Sequence, residues 1–357
     1  MATPLVATAN TTPIAPVAEE APLAVPTPPL VAEPPRLVIV TLDGVRWQDV
    51  FAGTSHAAST ARRTLASRST DTTPFKNLQK IVAERGVAFG GDGCPHDVRV
   101  AGPTNISLPG YMEIFSGKAS NSCMSNECAR TGTRTLLDEA ATSTRARDVA
   151  VFSSWSPYGR AAARDPNAMA MSVGGERGNV PRHVDDAKLL GLLDEGAKAP
   201  PFPGSADYRP DSFTAKAALR YLEIAEPRVL VVGLGDADEL AHRASFDGYY
   251  KALSAADTFL GDLDRTLERM GPKGKGTTVL VTTDHGRSHW MKDHGPFYRE
   301  SARVWVAAWN GSVIHRGVTC ATQPLRLGHI APAAKAVLGL GGDGGPLGTE
   351  LLGSSTP

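Results

Sequence analysis

Apolar positions along the chain fall into two alternating kinds of segment. The first is a short, continuous run rich in β-branched residues: Leu37 to Leu42, Asp148 to Phe152, Arg228 to Gly233, Thr277 to Thr282 and Arg303 to Ala307. Runs of this length without polar alternation predict strands covered on both faces. The second kind repeats its apolar residues by threes and fours. Phe75 to Gly86 places Leu78, Ile81 and Val82 on one helical face, and Leu136 to Ala141 is a second such segment. Phe213 to Glu226 carries Ala218, Leu219, Leu222 and Ile224. Tyr249 to Met270 is the longest, with Leu253, Ala256, Leu260, Leu263 and Leu267 in step. Strands alternating with helices predict an α/β fold, a mostly parallel central sheet with helices on both faces.

Two stretches break this rhythm. Residues 1–35 are nearly all Ala, Pro, Thr and Val, with Glu19, Glu20 and Glu33 as the charges. Repeated prolines exclude helix interiors, so this stretch reads as a disordered or polyproline-like linker. It lacks a basic n-region and an apolar h-region, so no signal peptide is recognisable. Residues 153–212 carry Pro157, Pro166, Pro181, Pro200, Pro201 and Pro203. They read as an insertion or cap bordering a site within a folded domain spanning 36–345. Residues 346–357 read as a flexible tail. No apolar run reaches ~18 residues, so no transmembrane helix is expected.

Composition narrows the classes. Of 357 residues, 41% are hydrophobic and 21% charged, which excludes collagen-like, wholly disordered and disulfide-scaffold chains. Lys+Arg and Asp+Glu balance at 37 each, so the chain lacks the electrostatic footprint of a nucleic-acid binder. Of the four cysteines, Cys123 and Cys128 share one polar loop. They read as a local disulfide or half a zinc site, but no second Cys/His pair follows at ribbon spacing. The even count leans toward an oxidising setting, periplasmic or secreted.

Ligands of α/β sheets bind beyond the carboxyl ends of strands. Asp43-Gly44 follows the first apolar run, and Asp236, Asp238 and His242 follow the run ending at Gly233. Thr283-Asp284-His285-Gly286 and then His294-Gly295 follow Thr282. Carboxylates and imidazoles are ligands for Zn²⁺ and its relatives. Asp238 and His242, four apart, share one face of a helical turn. Singly, each fragment is a turn, a cap or a surface pair. Together, at three strand ends, they favour a metal site. Ser107, two before Pro109, opens an amphipathic stretch. It reads as an N-cap serine or as a nucleophile at a helix N-terminus, where backbone N–H groups favour an oxyanion.

These motifs resemble the alkaline phosphatase superfamily, nearest its type I phosphodiesterase/nucleotide pyrophosphatase branch and bacterial relatives. The resemblance rests on Thr41-Leu-Asp43-Gly-Val-Arg-Trp47, Ser107-Leu-Pro-Gly-Tyr111, Asp238-Glu-Leu-Ala-His242, Thr283 to Gly286, Asp293-His294-Gly295 and Gly328 to Pro332. It implies two divalent metal ions, Zn²⁺ by ligand type. Asp43, Ser107, Asp284 and His285 would hold one; Asp238, His242 and His294 would hold the other. Ser107 would attack phosphorus in a small-molecule phosphate ester, a mono- or diester, and water would hydrolyse the resulting phospho-enzyme. The family's usual Thr is Ser107 here, and its Asn three positions on is Gly110, so Asn105 is the candidate amide for a phosphoryl oxygen. Tyr111 and Lys118 are candidate substrate contacts. Lys118, Arg46 and Arg287 have phosphate binding and a solvated surface role as alternatives. Asp236 competes with Asp238, and His289 with His294. Specificity is expected from 153–212, through Trp155, Tyr158 and Arg160. A sulfatase of the same fold is an alternative, but Tyr111 stands where that motif has Arg, and three imidazoles suit zinc better than calcium. A cofactor-independent phosphoglycerate mutase would need a larger inserted domain than 153–212 supplies. A non-catalytic binding member of the fold is the remaining alternative.

Overall fold

The computed structural model describes residues 1–4, 33–52, 73–142, 144–199 and 207–353. The expected linker at 1–35 lies largely outside these residues. The strands are β1 (Arg36–Leu42), β2 (Gly86–Phe89), β3 (Val98–Arg99), β4 (Val149–Ser153), β5 (Ala170–Val173) and β6 (Val229–Leu234). They continue with β7 (Thr277–Thr282), β8 (Arg303–Val304), β9 (Val306–Trp309), β10 (Gly317–Val318) and β11 (Leu325–Arg326). Eight of them form one sheet in the order β10-β2-β9-β7-β1-β6-β4-β5; β11, β3 and β8 form a small second sheet. In the large sheet β9 alone runs against its neighbours β2 and β7, and the other pairings are parallel.

The helices are α1 (Trp47–Phe51), α2 (Lys76–Arg85), α3 (Ser107–Ser116), α4 (Leu136–Ala141), α5 (Tyr158–Ala162), α6 (Ala187–Lys198) and α7 (Asp211–Ala225). They continue with α8 (Asp236–His242), α9 (Phe246–Arg269), α10 (Pro272–Lys275), α11 (Ile330–Val337) and α12 (Gly345–Leu352). Strand pleating explains the unbroken apolar runs. Val38, Val40 and Leu42 of β1 enter one core with the predicted stripe of α9, and Leu37 and Ile39 enter the opposite core with α3, α4, α11 and α12. The expected α/β architecture is the one observed.

Three expectations are corrected. Residues 153–212 are not wholly an insertion: β5 pairs with β4 at the sheet edge, and α6 buries Leu189 and Leu193 in the first core. Pro157, Pro166 and Pro181 sit at the starts of short helical elements, and Pro200, Pro201 and Pro203 lie outside the described residues. Residues 346–352 are not a flexible tail but most of α12, which buries Leu347 and Leu351. The run Arg303–Ala307 splits at Trp305: β8 joins the small sheet, while β9 enters the large one antiparallel.

The register positions the chemistry. Leu42 pairs with Leu234, and Thr41 with both Gly233 and Thr282. The Asp43 amide donates to Leu234 O at 2.9 Å. β6, β1 and β7 are adjacent and parallel, so Asp43, the start of α8 and Asp284 leave the sheet side by side at its carboxyl edge.

Candidate metal centre and nucleophile

Each strand end hands its polar residue to the centre by a local device. After β1 the chain turns at Gly44, whose φ of +61° favours glycine; an added Cβ would meet Asp238 Oδ1 at 2.3 Å. The Gly44 amide donates to Asp284 Oδ1 at 3.1 Å, linking two of the ends. α8 begins directly after β6, and its i, i+4 spacing sets His242 Nε2 3.2 Å from Asp238 Oδ2. After β7, Asp284 and His285 are both fully buried.

The imidazoles are oriented through their far nitrogens. His285 Nδ1 donates to Gly286 O at 2.8 Å, and His294 Nδ1 donates to Asn105 O at 3.1 Å. A carbonyl only accepts, so each Nε2 presents a lone pair to the centre. His242 Nε2 and His294 Nε2 face each other at 2.9 Å, and the His285 and His294 rings stack with centroids 3.8 Å apart. Donor atoms of Asp238, His242 and His294 form one compact group, and those of Asp43, Asp238 and His285 form another. Asp284 Oδ2 lies 3.4 Å from His285 Nε2. Asp238 therefore belongs to both groups rather than to one.

Burial sets the titration of these groups. Asp43 is pushed up to about 7 by burial and then by the Asp238 charge, and Asp284 rises well above the ordinary range by burial and by Asp43. Burial lowers His285 to about 4 and His294 to about 3, which keeps both neutral. Burial is the largest influence on Asp238 and works against its ionised form, but the paired Arg287 guanidinium together with His294, His242 and His285 outweighs it and holds the carboxyl well below its ordinary range. Among the described residues, Asp284 Oδ2 is buried without a hydrogen-bond partner. Three close carboxylates, converging imidazole lone pairs and an orphaned buried oxygen fit divalent cations.

Ser107 opens α3, with its Oγ 3.2 Å from His285 Nε2 and 3.4 Å from Asp43 Oδ1. A helix starts with unpaired N–H groups. Here Pro109 has none, and Leu108 N donates to Asn126 Oδ1 at 3.0 Å, while the Ser107 N–H has no partner among the described residues. Gly110 is required by packing: a Cβ there would sit 2.5 Å from Asp284 O. Glu113, one turn on, accepts from the amides of Ala101, Gly102 and Gly328, fixing the loop that leads into Ser107.

A cavity of about 310 Å³ opens over these groups, lined by Ser107, Asp43, Asp238, His242 and His294 and walled by Asn126, Trp155, Arg160 and Tyr208. Sequence reasoning named Trp155 and Arg160 but missed Asn126, which sits in a short loop with no periodicity. Other expectations are corrected. Tyr111 is buried outside the cavity lining and donates its hydroxyl to Asp43 Oδ2 at 2.7 Å. Tyr158 likewise points inward, to Thr41 Oγ1 at 2.9 Å. Lys118 is exposed beyond the far end of α3, about 15 Å along the helix from Ser107. Asn105 does not line the cavity; it acts through its main-chain oxygen, at a φ of +48° that asparagine tolerates. Arg46 and Arg287 are buried rather than solvated: Arg46 pairs with Asp49 at 2.8 Å. Asp236 points away from the centre, accepting from Tyr208 Oη at 3.0 Å, and His289 is exposed beside Trp290.

Known proteins share this fold. A 2-O GAG sulfatase superposes with a TM-score of 0.58 at 15% identity, over 90% of this chain and 75% of its own. The phosphonate monoester hydrolase of Agrobacterium radiobacter superposes at 0.56 and 16% identity, over 90% and 78%. An alkaline phosphatase superfamily protein from Vibrio parahaemolyticus superposes at 0.54 and 11% identity, over 86% and 67%. By sequence, the 2,3-bisphosphoglycerate-independent phosphoglycerate mutase of Pseudomonas fluorescens is 25% identical over 179 residues, 44% of this chain and 33% of that protein. The chain thus spans about a third or less of the length of the curated relatives it matches. No family model matches. The fold is that of the alkaline phosphatase superfamily.

Proposed function

We propose that the chain is a two-metal hydrolase of phosphate esters, mono- or diesters, working through a phosphoserine on Ser107. The observation that carries this reading is the placement of Ser107 Oγ within 3.4 Å of both Asp43 and His285, beside two ligand groups that share Asp238. Asp43, Ser107, Asp284 and His285 would hold one cation and Asp238, His242 and His294 the other, with the Asp238 carboxylate within reach of both, and Zn²⁺ is favoured by three imidazoles. Such a pair of cations lowers the pKa of a nearby hydroxyl and neutralises charge on phosphoryl oxygens.

The chain's own residues do the rest. Ser107 Oγ forms a bond to phosphorus as the bond to the departing alcohol breaks, and its proton is lost to solvent. The unpaired Ser107 N–H and the Asn126 amide nitrogen are the donors suited to a phosphoryl oxygen. Tyr111 holds Asp43, and the main chain of Asn105 holds His294. Water then cleaves the phosphoserine and restores Ser107.

The test is turnover of p-nitrophenyl phosphate and bis-p-nitrophenyl phosphate with added Zn²⁺. Ser107→Ala is expected to lower the rate by at least ~10³-fold while metal content by elemental analysis stays near wild type. Near-wild-type turnover by that variant would refute the nucleophile. The sulfatase likeness in fold supports a second reading, transfer of a sulfuryl group. Faster hydrolysis of p-nitrophenyl sulfate than of either phosphate would favour it.

A further inference from the structure

The loop that borders the cavity beside Ser107 is tied to two helices, α3 and α5. The Cys123–Cys128 disulfide pinches it at its base. Between the two cysteines, Asn126 reaches the amide of Leu108 with its Oδ1 at 3.0 Å. The main chain of the same loop is gripped by Arg160 of α5: Nη1 donates to Cys128 O at 2.7 Å and Nη2 to Asn126 O at 3.1 Å. The strap is reciprocal. Thr131 N donates to Arg160 O at 2.9 Å, and Arg130 Nη1 donates to Ala163 O at 2.8 Å, just past α5. Arg160 and Asn126 both line the cavity, yet two of the guanidinium's nitrogens face carbonyls. A planar fork matches two carbonyls in a way an ammonium does not.

We propose that Arg160 and the Cys123–Cys128 disulfide are a positioning device for Asn126. They hold its amide over the nucleophile, so an oxidised loop is a condition of full activity. Asn126 would hold a phosphoryl oxygen, as in the function proposed above, and that part rests on that reading. The loop lacks secondary structure of its own. Without the strap its backbone samples many conformations, and one of them carries the amide nitrogen within reach of Ser107. Misplacement by about 1 Å is enough to cost ~10²-fold in rate.

Two measurements test this. The first is amide hydrogen exchange at Leu108, whose N–H has Asn126 as its partner. Exchange is expected to speed up at least tenfold in Arg160→Gln and in the double variant Cys123→Ser/Cys128→Ser, with protection of α9 unchanged. The second is a double-mutant cycle on p-nitrophenyl phosphate turnover by the metal-loaded protein. Arg160→Gln and the double serine variant are each expected to lower kcat/KM by ~10- to 100-fold, and by less than about threefold when Asn126 is already Ala. Leu108 exchange unchanged in both variants would overturn the device. So would an Arg160→Gln loss undiminished in the Asn126→Ala background, since Arg160 would then touch substrate itself. Should the wild-type chain hydrolyse no phosphate ester, the exchange experiment still reads the strap, and the hydrolase reading alone falls.

Discussion

At the scale of single residues, the centre depends on contacts that forbid ordinary substitutions. Gly110 faces the main chain of Asp284, where a Cβ would approach a carbonyl oxygen to 2.5 Å. Gly110→Ala should therefore destabilise the fold by about 1–3 kcal/mol and loosen cation binding, read by urea unfolding and by metal titration. Tyr111 offers a gentler probe. Tyr111→Phe deletes the hydroxyl that holds Asp43 Oδ2 and leaves the ring packed on Tyr158, with centroids 4.5 Å apart. It should lower kcat by about tenfold with a stability change near 1 kcal/mol. The carboxylates also predict a pH dependence. In the cation-free cluster Asp43 titrates at about 7, above its ordinary value, so it keeps its proton as pH falls below 7. His285 and His294 are already neutral there. Cation binding must displace protons from Asp43, Asp284 and His242, all held above their ordinary values, so affinity should weaken as pH drops below 7. Calorimetry in buffers of differing ionisation enthalpy measures the protons released.

At the scale of elements, what was legible in the sequence follows from periodicity. The stripe Leu253, Ala256, Leu260, Leu263, Leu267 is buried in α9, and the runs at β1, β6 and β7 are covered on both faces. Strand-end reasoning brought Asp43, Asp238, His242, Asp284 and His285 to one edge because parallel strands end together. Apolar composition does not encode strand direction, so the reversal of β9 was invisible. Proline content alone did not separate an added cap from short elements of the sheet edge. Asn126 carries no periodic signal, and Lys118 was misplaced because adjacency in sequence to a ten-residue helix hides the helix's length. α12 has a short apolar pattern, Leu347 and Leu351, four apart. Its packing predicts that Leu351→Ala costs about 2–5 kcal/mol in urea unfolding, whereas a loose tail would show no change.

At the scale of the whole molecule, the second disulfide matters most for stability. Cys94 and Cys320 are joined across 226 positions, tying the segment between β2 and β3 to the segment between β10 and β11. Replacing both by Ser should cost up to about 5 kcal/mol by loop entropy, measured as a shift in denaturant midpoint. The sheet topology describes a scaffold that presents Asp43, Asp238, His242, Asp284 and His285 at the carboxyl edge of three adjacent parallel strands.

Three neighbouring strands deliver candidate cation ligands at one level, and that arrangement has a consequence for inactivation. Asp43 and Asp284 follow directly on β1 and β7, which pair at the middle of the large sheet, so the two turns stay in place for as long as those strands stay paired. Rising urea should therefore silence the protein in two acts, first as the pinched loop over Ser107 lets go, and only later, together with the tryptophan signal, as the ligands part.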